Sequence, residues 1–322
     1  LSSFGVGRVS SLFVYPMSFD EFLTATRQEG LLRIKRNSSP TNPLPEAFYN
    51  RLVEAFRSYM LVGGMPEAVA TYTETGSYRY SSDIVNEIIQ GYQDDFAKYG
   101  AKANPLLLRQ TLISVAHQAG AKFVCSRVEG QYRSAEVKVA LEMLKDAGLI
   151  IPTYHTDANG VPLGAEINER VVKYLIHDTG VLLGILGIDD DIDERIKEMM
   201  VADSIDLVDK GHVAEMMAGL ELIKYSSPQK RHQLYYWQNM NKGTCAEVDY
   251  VIARSGSIVP IEVKSGVKGS MSSMYSLMRN PQKHIEMGIR CSLENFGTFA
   301  SPDGKKIDII PLYAISNLFA EK

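Results

Sequence analysis

Glu247-Val248-Asp249-Tyr250-Val251-Ile252-Ala253-Arg254-Ser255-Gly256-Ser257-Ile258-Val259-Pro260-Ile261-Glu262-Val263-Lys264 is the stretch on which the reading of this chain turns. Runs rich in Val, Ile and Tyr flank Ser255-Gly256, the pattern of two strands joined by a tight hairpin turn. A two-residue loop sets Arg254 opposite Ser257. Counting outward then sets Asp249 opposite Glu262 and Glu247 opposite Lys264. Alternation collects Val248, Tyr250, Ile252, Val259, Ile261 and Val263 on one face, and Glu247, Asp249, Glu262 and Lys264 on the other. Two carboxylates directly across a ladder repel at about 5 Å. A hard divalent cation between them reverses that sign. A wet, charged face on an antiparallel sheet gives the same pattern with no ion at all. Pro260 is a further complication, because proline within a strand accompanies an edge or a bulge, and a bulge shifts the register.

Asp249, followed after a hairpin by Glu262-Val263-Lys264, resembles the D…E-x-K core of the PD-(D/E)XK nuclease-like superfamily. The resemblance implies that Asp249 and Glu262 hold Mg²⁺ and that Lys264 positions or polarises the attacking water. An acid from a preceding helix often joins them, and the matching residue is Glu215 in Gly211-His212-Val213-Ala214-Glu215, at the start of an expected amphipathic helix. The broader wording runs from Tyr235-Tyr236-Trp237 through Ala246-Glu247-Val248-Asp249 to Pro260-Ile261-Glu262-Val263-Lys264-Ser265-Gly266. It is similar to the C-terminal domain of unknown function found in a large prokaryotic family of AAA+ ATPases.

At 322 residues the chain is long enough for two or more domains. Hydrophobic residues make up 45% and charged ones 22%, ordinary for a globular protein. A net charge of −4 gives no global electrostatic drive toward nucleic acid, so any such contact needs a local patch. Cys125, Cys245 and Cys291 have no C-x-x-C spacing. They argue against both a disulfide framework and a zinc site, and fit a reducing cytoplasm. No apolar run approaches membrane-spanning length, and the first residues carry no signal-peptide pattern.

Along the chain, Leu12-Phe13-Val14-Tyr15-Pro16 reads as a strand. Ser18 with Glu21 three positions on reads as a capping box. Gly7-Arg8 and the following Pro-Met-Ser-Phe-Asp-Glu-Phe wording resemble the last part of the ATPase core in the same AAA+ family, as expected for part of a longer protein. No G-x-x-x-x-G-K-[ST] run occurs, and Gly304-Lys305 lacks the upstream glycine. ATP hydrolysis is therefore expected only in an intact protein with the missing N-terminal part. Apolar spacing predicts helices over 46–59 and 83–99, with Gly63-Gly64-Met65-Pro66 between them. Asp94-Asp95 reads as a solvated helix face rather than a metal site, as does the charge run 189–194.

Residues 104–164 read as helix, helix, strand and turn, resembling a winged helix-turn-helix. Asn104-Pro105 opens the first helix, and the second spans 134–147. If that helix reads DNA, Arg127, Arg133 and Lys138 are the contacts. Glu136, Glu142 and Asp146 on the same helix are poor electrostatics for phosphate, which favours packing or protein contact. His177 and Asp178 are adjacent strand residues aimed at opposite faces, so they do not form an acid/base pair.

These readings together predict a multi-domain α/β chain. A remnant of an AAA+ core (1–30) precedes a helical lid-like region (31–103), a winged-helix-like module (104–164) and a PD-(D/E)XK nuclease-like domain (165–322). The last is expected to run helix, three strands, a helix through 273–288 and a strand at 307–313, with Ser273, Gln282 and Lys283 as polar candidates near the site. The expected function is Mg-dependent phosphodiester hydrolysis or nucleic-acid handling, with Lys264 and Glu215 as catalytic residues and Asp249 and Glu262 as metal ligands. The alternative is an inactive nuclease fold that binds protein or nucleic acid. A cytoplasmic location, no membrane partner and oligomerisation through the ATPase part complete the expectation.

Overall fold

The computed structural model describes residues 10–98, 104–187, 210–239, 246–266 and 269–319. Arg8, Cys245 and the 189–194 charge run lie outside them. The chain opens with helices α1 (Phe19–Ala25), α2 (Glu29–Arg36), α3 (Glu46–Val62), α4 (Pro66–Thr75) and α5 (Tyr78–Lys98). The predicted capping box is present. Glu21 N donates to Ser18 Oγ at 3.4 Å, and Ser18 N donates to Glu21 Oε2 at 2.7 Å. Pro66 opens α4 from its first turn, where its missing N–H costs no helical bond. Residues 10–15 form no strand; Phe13 N bonds Pro228 O at 2.9 Å, and Arg231 lies over the Phe13 ring.

Next come α6 (Pro105–His117), capped by Asn104, then α7 (Ser134–Asp146), β1 (Ile150–Thr156), β2 (Ile167–Ile176) and α8 (Thr179–Ile185). After these follow α9 (Lys210–Lys224), β3 (Leu234–Gln238), β4 (Glu247–Val248), β5 (Tyr250–Arg254), β6 (Ser257–Val263), α10 (Ser272–Arg279), β7 (Met287–Ser292), β8 (Gly297–Ala300) and β9 (Lys306–Pro311). They build two mixed sheets, ordered β2-β1-β3-β4 and β5-β6-β7-β9-β8. β1 runs antiparallel to β2 and parallel to β3, so strands from both sides of the 164/165 junction share one sheet.

The hairpin keeps the predicted register from Arg254 opposite Ser257 to Tyr250 opposite Ile261, but the ladder stops there: Asp249 does not pair with Glu262, and Glu247 pairs with Gln238 of β3 rather than with Lys264. Pro260 causes no bulge: it pairs with Val251, and the parallel ladder to β7 begins only at Ile261. The face assignment fails at one residue. Tyr250, Val259, Ile261 and Val263 join the main core, whereas Val248 packs with Trp237, Val251 and Ile258 in the second apolar cluster. The chain breaks its ladder at Asp249, where β4 leaves β3 and β5 takes up β6. That break turns Val248 to the opposite side.

Two further expectations change. The helix predicted through 273–288 ends at Arg279, because Pro281 cannot continue it, and Met287–Ser292 is a buried parallel strand. α9 is not amphipathic: residues 213–223 are buried all round, among them Glu215 and Glu221. A helix enclosed by sheet and helical layer reads as apolar on every side. The main core runs without interruption from Phe19 on α1 to Leu318, so helical region and sheets share one apolar interior.

Candidate functional site

The parting of the two sheets at Asp249 gathers a cluster of buried and half-buried charges, Lys173, Glu215, Glu247, Asp249, Glu262 and Lys264. Val263 N–H, which a continued ladder would hand to a backbone carbonyl, donates instead to Asp249 Oδ2 at 2.7 Å. Glu262, one residue before it, is 5% exposed. Its Oε1 accepts from Lys264 Nζ at 2.7 Å, while its Oε2 is buried with no partner. From α9, Glu215 Oε1 accepts from Lys173 Nζ at 2.8 Å. The Tyr250 hydroxyl donates to the Glu215 backbone carbonyl at 2.8 Å and fixes that turn of α9 on the hairpin. Glu247 Oε1 lies 2.5 Å from the same Lys173 ammonium, which stands 5.0 Å from the centre of the Tyr236 ring.

All four acids anticipated on the hairpin face and on α9 are thus brought together, with Lys264 among them. Lys173 was missed. Its signal was a lone charge inside the apolar run Val171-Val172-Lys173-Tyr174-Leu175-Ile176, which only a buried partner makes tolerable. Lys283, by contrast, donates to Asp157 O and to Asn159 Oδ1 and so ties down a turn. Gln282 is exposed.

Electrostatics follow from four carboxylates sharing two lysines. Burial raises Glu262 to about 7; the Asp249 charge adds to this, and Lys264 opposes it. Burial raises Glu215 to about 8 against the pull of Lys173, with Asp249 and Glu247 pushing it further up. Asp249 is raised by burial and held back by the Val263 N–H and both lysines. Burial alone would lower Lys173, but Glu215 and Glu247 outweigh it and keep the amine charged. Four ionised acids would leave the cluster short of two positive charges, a deficit that Glu215 and Glu262 relieve by holding protons. Among the described residues, no group of three or more His, Cys, Asp or Glu is arranged to hold a metal ion. Mg²⁺, however, needs only one or two carboxylates with water and phosphate filling the rest. The open Oε2 of Glu262 beside Asp249 fits such a donor set.

Arg127, Arg133 and Lys138 are exposed around the start of α7, where Arg133 N caps back onto Glu136 Oε2 at 2.8 Å. The strand ends at Ile176, so His177 and Asp178 are not the strand residues expected; His177 faces the Tyr92 hydroxyl at 3.1 Å while Asp178 caps α8. Cys125 and Cys291 are free thiols. Among the described residues no helix is long and apolar enough to cross a membrane.

Fold and site define an α/β protein whose sheet carries a buried acid–lysine cluster. Residues 53–192 match the model of a domain of unknown function, DUF8612, and residues 210–315 match that of a second, DUF4143. Each match spans less than half the chain and describes its own segment. No curated protein and no solved structure matches. The two matched segments meet in one sheet, β1 and β2 from the first and β3 and β4 from the second.

Proposed function

We propose that the Asp249–Glu262–Lys264 cluster is a PD-(D/E)XK-type site for Mg-dependent phosphodiester hydrolysis, in the C-terminal part of an AAA+ ATPase. The observation that carries this reading is the buried, unpartnered Glu262 Oε2 in a cluster where four carboxylates share two lysines. Asp249 and Glu262 would hold the cation. When bound, Mg²⁺ supplies charge to a phosphate oxygen and makes water more acidic. Lys264, hydrogen-bonded to Glu262 and about a fifth exposed, can turn its ammonium outward to orient a hydroxide or stabilise the phosphate. Glu215 sits behind, pushed up to about 8, where it can retain a proton near neutral pH. The order α9, β3, β4, β5, β6, α10, β7 supports the reading in part, with β3 and β4 in one sheet and β5, β6 and β7 in the other. DUF4143 often stands C-terminal to AAA ATPases, which supports the wider assignment. ATP binding and oligomerisation would then belong to the N-terminal part of the intact protein.

One observation favours a second reading, a binding module without catalysis. Lys173 is already locked between Glu215 and Glu247, so part of the acidity is neutralised from within. The same fold hosts many functions. A nuclease assay with Mg²⁺ or Mn²⁺ on wild type and Lys264→Ala separates the two. The catalytic reading predicts cleavage that falls roughly 10²-fold or more in the variant. Equal, near-zero rates would leave the binding module, facing a nucleic acid or a protein.

A further inference from the structure

The acids of the cluster and the amine that pairs with two of them come from different parts of the chain. Lys173 lies on β2, inside the 53–192 segment, while Glu215 and Glu247 lie inside 210–315. Its side chain is 2% exposed and bridges the two carboxylates at 2.8 and 2.5 Å. Burying an ammonium costs several kcal/mol unless acids surround it. Here they do, from α9 on one side and β4 on the other. The cluster therefore divides into two halves. In one, Lys173 joins Glu215 to Glu247, as a bound metal ion would. In the other, Lys264 takes only one oxygen of Glu262 and leaves Oε2 open beside Asp249.

We propose that Lys173 is a built-in cation that fills the second of two cation positions, so that the site accepts one divalent ion, at Asp249 and Glu262. This rests on the divalent-cation reading above and adds to it the stoichiometry and the residue that sets it. Lys173 is 2% exposed and, unlike a metal ion, has no coordination position to offer water or phosphate. Its place between Glu215 and Glu247 therefore confines exchangeable chemistry to the Glu262 side. It also makes the charge balance of the 210–315 segment depend on a residue of the 53–192 segment.

The test counts Mn²⁺ bound by the whole chain, using the electron paramagnetic resonance signal of free Mn²⁺, for wild type, Lys173→Met and Lys173→Arg. Wild type and Lys173→Arg should bind about one ion and Lys173→Met about two. Lys173→Met should also melt lower in chelator and recover in Mn²⁺, which a merely structural lysine would not produce. One ion in both wild type and Lys173→Met overturns the inference while leaving the Asp249–Glu262 site standing. No ion in wild type but one in Lys173→Met removes the Asp249–Glu262 site and supports the lysine as a cation substitute. No ion in either overturns both. Should Lys173→Met not fold, Lys173→Gln takes its place, with about two ions expected and one ion overturning the inference.

Discussion

Replacing Glu262 with Gln should reduce an inverted dependence of stability on pH, leaving the part that Glu215, raised to about 8, contributes in both proteins. Glu262 is raised from 4.5 to about 7 in the folded chain, mainly by burial and then by the charge of Asp249. A carboxyl raised on folding holds its proton more tightly in the native state. The stability it contributes is full below the unfolded value and is lost as pH climbs through about 7. At 1.36 kcal/mol per unit, the whole change is about 3 kcal/mol, of which about 2 falls between about pH 5.5 and pH 8.5. Ordinary surface carboxylates have finished titrating by then, so they do not mask it. Urea unfolding in chelator at those two pH values reads the effect. Wild type should lose about 2 kcal/mol more than Glu262→Gln across the window, and added Mn²⁺ should abolish the difference by neutralising the carboxylate directly. Identical slopes for the two proteins, or a wild type that gains stability as pH rises, would refute the reasoning.

Lys35, buried against Asp20 and Ser316, joins α2 to α1 and to the C-terminal turn. Lys35→Met should cost about 1–3 kcal/mol by leaving Asp20 Oδ1 without its buried ammonium while Arg36 still pairs with Oδ2, and Asp20→Asn in the same chain should return part of it in a urea titration. Gly63 has φ +78°, and a Cβ there would run into Asp178 Oδ1, whose carboxylate also accepts from Gly64 N at 2.6 Å. Gly63→Ala should therefore lose about 2 kcal/mol or more, read by thermal melting. Arg133→Ala/Lys138→Ala should leave DNA retention unchanged in a mobility-shift assay. A drop in retention would place a nucleic acid on α7.

What could be read in advance was local. The hairpin register followed from Ser255-Gly256 and alternation, and the caps at Ser18 and Asn104 from residue type alone. The helix expected through 273–288 overlaps only the first two residues of the strand Met287–Ser292, and nothing is assigned to 289–292, because a short apolar run has no decisive period; Pro281 is the stop signal. The side on which Val248 packs could not be counted, since the break at Asp249 depends on a side chain taking the Val263 N–H from fourteen residues away. Lys173 escaped for a related reason. Its partners lie on α9 and β4, far along the sequence, and only the joining of β1 and β3 in one sheet brings β2 to them.

The most direct test is a crystal of the chain soaked in Mn²⁺, with data collected for anomalous scattering. The account predicts a single strong peak within coordination distance of Glu262 Oε2 and the Asp249 carboxylate, with Lys173 still between Glu215 and Glu247. A map with no peak beside Glu262, in a crystal where Mn²⁺ reaches other surface carboxylates, would contradict it.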